Sequence, residues 1–266
     1  MDDVSRRGFL RMVPVAALAP VIVPRTVPDF IRATQANPSE AFPRHDPALA
    51  RDIVGASHGN VARVKELVST TPTLARASWE WGYGDWETAI GAASHVGHKE
   101  IAAILLAAGA HPTIFSAAML GQLDAVRAFI AAAPGIQKTR GPHGITLLDH
   151  ARAGKSDDVV KYLESIGDAE PRYPNEPLSE EEALGLTGTY VFGSGPTERL
   201  IVSRNTRGAL VVKREGEPDR NLFHHGNRVF NPPGAEAVRI RFEPVTGRAT
   251  TLTVVDGLLQ VRGSRS

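Results

Sequence analysis

The fold is decided by one stretch, Thr88-Ala-Ile-Gly-Ala-Ala-Ser-His95-Val-Gly97-His98-Lys-Glu100-Ile101-Ala-Ala-Ile-Leu-Leu106-Ala-Ala-Gly109-Ala110. It reads as a small-residue helix, a glycine, a polar turn and an apolar helix. Three looser copies follow the same plan around Gly59, Gly121 and Gly154. Glycine suits the left-handed conformation that ends a helix. The polar or acidic residues after it suit the positive start of the next helix. Apolar residues then recur at three- and four-residue steps, the mark of one buried stripe. A unit of this kind buries its apolar face only by stacking on its neighbours, and such stacks commonly serve as binding surfaces.

The pattern resembles the ankyrin repeat. Segment 88–110 follows that family's motif, departing at Ala89 (proline in the family), Gly91 (histidine) and Ser94 (alanine). The resemblance implies about four degenerate repeats over 46–170. The four glycines are 38, 24 and 33 residues apart (59 to 97, 97 to 121, 121 to 154), against about 33 in regular arrays. The long interval therefore holds an insertion, and the short one lacks a finger.

Ahead of the repeats, Ser5-Arg6-Arg7-Gly8-Phe9-Leu10 precedes an apolar run over 12–23. This resembles a twin-arginine secretion signal and implies a leader over 1–36, with a periplasmic or secreted product. The run is too short and too interrupted by proline to be a membrane span, so no stable span is expected after leader removal. The chain has 266 residues, no cysteine and a formal net charge of +1. That excludes disulfides and thiolate chemistry, and gives no electrostatic case for nucleic acid.

Beyond Pro171, Pro174 and Pro177, a linker over 171–177, the texture changes to short alternating runs separated by glycine, proline and asparagine turns. About eight strands are expected over 178–266. The elements Leu178-Ser-Glu-Glu-Glu182 and Leu186-Thr-Gly188-Thr-Tyr190 resemble the small β-domain that follows some penicillin-binding-protein-like serine hydrolases. That resemblance carries no catalytic residue. The expected fold class is thus α + β in separate domains: an α-solenoid of ankyrin repeats, then a small antiparallel β-barrel or curled sheet.

No catalytic motif finds a supporting context. Gly55-Ala56-Ser57-His58-Gly59 spells a nucleophile elbow, which needs a strand before its serine; here it ends a helix. His95 and His98 flank a helix-breaking glycine, and His98 reads as a turn residue. His224 and His225 are neighbours on a strand and face opposite ways. No catalytic residue, metal or cofactor is therefore expected.

The aromatic segment Trp79-Glu80-Trp81-Gly82-Tyr83-Gly84-Asp85-Trp86-Glu87 holds all three tryptophans. Large aromatics with a polar tip favour recognition, and the same rings could instead fasten the inserted loop. His143, in Gly141-Pro142-His143-Gly144, could face the same groove as Asp85. The candidate binding surface is Trp81, Tyr83, Asp85, Trp86, His95, Met119 and His143. The expected role is an exported, non-catalytic scaffold for an unidentified protein partner. The alternative is a small-molecule binder or hydrolase-like enzyme, with its site under the loop 79–86 or in the β-domain.

Overall fold

Each helix pair starts where a short polar side chain can cap it. Asp46 accepts from the Ala48 amide ahead of α1 (Pro47–Ala56), and Thr88 from Gly91 ahead of α3 (Ala89–His95). Thr113 accepts from Ser116 ahead of α5 (Ile114–Leu120), and Thr146 from Asp149 ahead of α7 (Leu147–Ala153). These side chains satisfy amides that the first helical turn leaves unpaired. The second helices are α2 (Val61–Thr70), α4 (Lys99–Ala107), α6 (Leu123–Ala132) and α8 (Asp157–Ile166). Gly97 and Gly121 turn the chain at φ 75° and 78°. Gly154 lies at φ −76°, and its lack of a side chain answers a different need: a Cβ there would collide with the Met119 backbone.

These residues belong to a computed structural model, which describes residues 44–266. The leader expected over 1–36 lies outside them. Among the described residues, no helix is long and apolar enough to cross a membrane.

A short helix leads into the sheet. This helix, α9 (Glu180–Leu186), is closed by a reciprocal cap between Ser179 and Glu182. Nine strands follow: β3 (Gly188–Val191), β4 (Arg199–Arg204), β5 (Leu210–Arg214), β6 (Arg220–Asn221), β7 (Phe223–His224), β8 (Val229–Asn231), β9 (Arg239–Glu243), β10 (Thr251–Asp256) and β11 (Leu259–Arg265). All pair antiparallel, in the order β6-β5-β4-β3-β11-β10-β9-β8-β7. The two edge strands, β6 and β7, are separated in sequence by Leu222 alone. The sheet thus curls into a nearly closed barrel around Tyr190, Phe230, Ile240, Phe242 and Leu252. The alternation of Ile240 and Phe242 inward with Arg241 outward is the two-residue period of a strand with one wet face.

The expected fold class needs correction. The helices do not form a clear solenoid in a domain of its own. Residues 44–266, helices and barrel-like sheet together, are one compact unit. Although α1, α3, α5 and α7 touch in succession, the apolar interior divides in two. One part, around Ile53, Val64, Ile101 and Leu105, belongs to α1–α4 together with Met119 of α5; the other, around Val126, Leu147, Val159 and Leu163, belongs to α5–α8. The connections between the pairs are also uneven. A two-stranded hairpin, β1 (Ser78–Glu80) and β2 (Trp86–Thr88), is inserted between the first two pairs. Its tip does not stand free as a finger: Tyr83 packs against the core of the sheet.

Candidate metal centre

The inserted hairpin positions the site. Its register pairs Trp79 with Glu87 and Glu80 with Trp86. Strand alternation then sends neighbouring side chains to opposite faces: Trp86 is 62% exposed, whereas Glu87 is 1% exposed. The turn between the strands runs through Gly82, Tyr83 and Gly84, all left-handed, at φ 104°, 64° and 79°. The Glu80 carboxylate accepts from the Gly84 amide at 2.7 Å. The two glycines therefore build a tight turn that side chains would strain.

Glu87 is met by three imidazoles from three other places in the chain. Its Oε1 lies 2.9 Å from His95 Nε2 at the end of α3 and 3.3 Å from His143 Nε2 in the loop before α7. Its Oε2 accepts from Trp81 Nε1 at 2.7 Å and lies 3.5 Å from His58 Nε2, just past α1. His58 Nε2 and His95 Nε2 are 3.2 Å apart. One ligating atom from each of the four residues lies within 4.8 Å of every other. Ligand-to-metal distances of 2.0–2.1 Å in a tetrahedron give edges of roughly 3.3 Å, the range of the four close contacts.

The outer hydrogen bonds orient two of the rings. His58 Nδ1 faces Gly55 O at 3.1 Å, and a carbonyl can only accept, so that nitrogen carries the proton. His143 Nδ1 lies 2.7 Å from Asp85 Oδ2, while the His143 amide donates to Asp85 Oδ1 at 3.0 Å. Asp85 is held in turn by Arg220 of β6, whose Nη1 donates to Oδ2 at 2.7 Å and whose Nη2 donates to Trp81 O at 2.8 Å. Both Nε2 atoms are left to converge on Glu87. A carboxylate or carbonyl behind each metal-binding histidine is the usual outer arrangement of such centres. His143 itself is left-handed, at φ 58° and ψ 17°, a conformation uncommon for a side-chain-bearing residue.

The same contacts set the charges of these groups. Burial opposes the charge of His143, yet the hydrogen bonds it donates to Asp85 and Glu87 raise its pKa to about 9. Burial would raise Glu87, but His143 and His95 hold it down at about 2. Burial likewise opposes ionisation of Asp85, and the His143 and Arg220 contacts reverse that and lower it. His150, on α7 beside this group, is different. Burial, and then the neighbouring His95, push it down to about 3. Its Nδ1 meets Ser94 Oγ at 2.8 Å, and its buried Nε2 has no partner among the described residues.

The sequence-derived candidates divide accordingly. Asp85, His95 and His143 come together here, with Trp81 bonded to Glu87. Trp86 is exposed on the far face of the hairpin, and Tyr83 turns into the sheet. Met119 is a correction: it is 0% exposed within the helical core and offers no binding surface. Against the expectation of no metal ligands, four groups with metal-ligating chemistry converge. His98 caps α4 through the Ile101 amide and takes no part. Ser57 is buried and donates to Ile53 O at 2.7 Å, so the elbow-like motif holds no free nucleophile. Sequence reasoning missed His58, Glu87, Arg220 and His150. A signal for two of them was present: histidines recur on or just after the first helix of three copies, at His58, His95 and His150.

The fold and site thus define a class: an α + β protein with an imidazole–carboxylate centre where an inserted hairpin meets the helices, tied by Asp85 and Arg220 to a curled sheet. No family model matches the chain. Over 69 residues it is 33% identical to the pyrimidine/purine nucleoside phosphorylases of Vibrio vulnificus strains YJ016 and CMCP6, a match spanning 25% of this chain and 70% of each relative. Through that segment the chain belongs to the same family; three quarters of it lie outside the match. Among solved structures, SurE, alone and with D-Leu, is similar at a TM-score of 0.26 and 22% identity. That match covers 44% of this chain and only 28% of SurE, too slight a likeness to bear on the site.

Proposed function

We propose that His58, Glu87, His95 and His143 hold a divalent transition-metal ion, and that the protein uses it in chemistry on a small molecule. One observation carries the reading: Nε2 atoms of two rings, each with Nδ1 engaged from behind, converge with a third imidazole on one buried carboxylate. Without a cation, two imidazole lone pairs and a carboxylate facing each other repel. In the metal-free protein a proton on His143 fills that need; a metal ion fills it for all four groups at once. Imidazole-rich sites suit zinc, iron, copper and nickel. The Glu87 and His95 side chains are 0% and 10% exposed, whereas His58 and His143 are 33% and 28% exposed, which leaves a solvent-facing side for a water or substrate. A divalent ion at such a position lowers the pKa of bound water, and this favours hydrolysis as the reaction class.

The test is metal binding by chelator-treated protein. Cobalt(II) should give a visible absorption band at one equivalent, displaced by zinc and lost in His95→Ala and Glu87→Gln. Absence of the band, with no zinc retained on dialysis, would reject the reading.

A second reading comes from the relatives, which are named as phosphorylases of pyrimidine and purine nucleosides. Release of free base from uridine or inosine in the presence of phosphate would support it, and no release under conditions where the metal site is loaded would dismiss it. For the location, we propose export through the twin-arginine pathway, supported by Arg6-Arg7 and the apolar run behind them. Replacing both arginines by lysine should retain the protein in the cytoplasm.

A further inference from the structure

A second site lies where the same hairpin meets the curled sheet. A cavity of about 1050 Å³ opens between the hairpin and the curled sheet. Its first wall is Trp79, Trp81, Tyr83 and Trp86, which include every tryptophan in the chain. Its second wall is Leu200, Val212 and Val254 of β4, β5 and β10. These three also contribute to the core of the sheet, so the cavity reaches down to apolar interior.

Its rim is unusual for a surface facing only water. Trp86, Leu259 and Val261 are 62%, 59% and 40% exposed, and all three line it. Scattered exposed apolar residues need no explanation, but a group converging on one concave site marks a binding surface. The volume is just above the roughly 300–1,000 Å³ common for small-molecule pockets.

The charges around the cavity indicate what kind of molecule fits. Four arginines (199, 214, 220 and 262) face four carboxylates (Glu80, Glu198, Glu217 and Asp256) in the lining. Most are already engaged within the protein. Arg214 donates to Thr197 O, Arg220 to Asp85 and Arg262 to Glu243. Glu80 and Glu198 accept backbone amides, and Glu217 pairs with Arg51. The lining therefore carries no net charge with which to select an ion. We infer that this cavity binds an uncharged, mainly apolar small molecule with its rings or chain against the tryptophans. The cavity shares Trp81, which donates to Glu87, and Arg220, which holds Asp85, with the supports of the metal centre, but none of the four converging ligands His58, Glu87, His95 and His143 lines it.

N-phenyl-1-naphthylamine, a neutral apolar fluorophore, tests this on the full chain. Binding should be saturable at one equivalent, with energy transfer from the tryptophans. Val261→Glu and Trp86→Ala, both at exposed positions, should each weaken it by about tenfold, as expected for the loss of one apolar contact. Val245→Glu, at an exposed apolar residue outside the lining, should leave it unchanged. Binding should also survive chelator, so a failure of the metal reading leaves this result standing. Unsaturable binding, or equal loss in Val261→Glu and Val245→Glu, would overturn the proposal.

Discussion

Arg220 and Asp85 form an ion pair at 2.7 Å across 135 positions of sequence, with side chains only 9% and 2% exposed. The pair joins the tip of the hairpin to the edge of the sheet, and the same carboxylate orients His143. Removing one partner of a buried pair leaves an uncompensated charge, which costs about 3–5 kcal/mol. Arg220→Met should lower stability toward that range in urea denaturation, moderated by the bonds Asp85 keeps to His143. It should also weaken metal binding, since loss of an outer support commonly costs about 10–100-fold in affinity. An Arg220→Met protein of unchanged stability would show that the hairpin and sheet do not depend on this contact.

The metal-free protein should have a stability maximum near pH 6.5. His150 titrates at about 3 when folded, against an ordinary histidine value of 6.5. Between those values the unfolded chain binds more protons, so stability falls as pH drops below 6.5. His143 is raised to about 9, so the stability it contributes is present below 6.5 and lost as pH rises through 9. Each limb is on the order of a few kcal/mol. Urea midpoints in chelator across pH 5–9 test both limbs, within the range where carboxylates stay ionised. His150→Leu should flatten the acid limb only, and a monotonic profile in the parent protein would contradict the assignment.

Trp81 and Trp86 should respond differently to truncation. Trp86 is largely exposed, so Trp86→Ala should change stability by less than about 1 kcal/mol. Trp81 packs against the helical core and donates to Glu87. Trp81→Ala should destabilise by about 3 kcal/mol and loosen the metal site. If a protein partner is captured from a periplasmic extract, Trp86→Ala should release it, because this ring is presented to solvent. Equal destabilisation by the two substitutions would mean that the hairpin is buried more evenly than its exposures indicate.

Leu105 lies wholly inside the core of the first two helix pairs, while Leu106 on the same helix is only half-buried. Leu105→Ala should cost about 2–5 kcal/mol in chemical denaturation, and Leu106→Ala clearly less. A reversal of that order would place the opposite face of α4 against the core.

What the chain determined by itself is local. Thr88, Thr113 and Thr146 cap the helices they precede, and Gly97 and Gly121 turn left-handed after the first helices of their pairs, because caps and turns are settled by interactions within a few residues. The alternation of Ile240 and Phe242 likewise marks an inward strand face without reference to the rest of the fold. The centre was not legible in this way. Each of its groups had a sufficient local meaning: His58 read as part of a misplaced serine motif, His95 as a neighbour of a helix-breaking glycine, and His143 as a loop residue near the groove of Asp85. Only the packing of α1 and α3 beside the inserted hairpin brings these groups within bonding distance. The same holds for Gly82 and Gly84, whose left-handed angles build a fixed turn that residue type alone does not specify. Met119 was misplaced for a related reason, since a repeat pattern gives the period of a helix but not which neighbour covers it. The separation into a solenoid and a detached sheet failed because Asp85, Tyr83 and Arg220 meet across the boundary. Contacts of that kind depend on three-dimensional closure, and no spacing along the sequence encodes them.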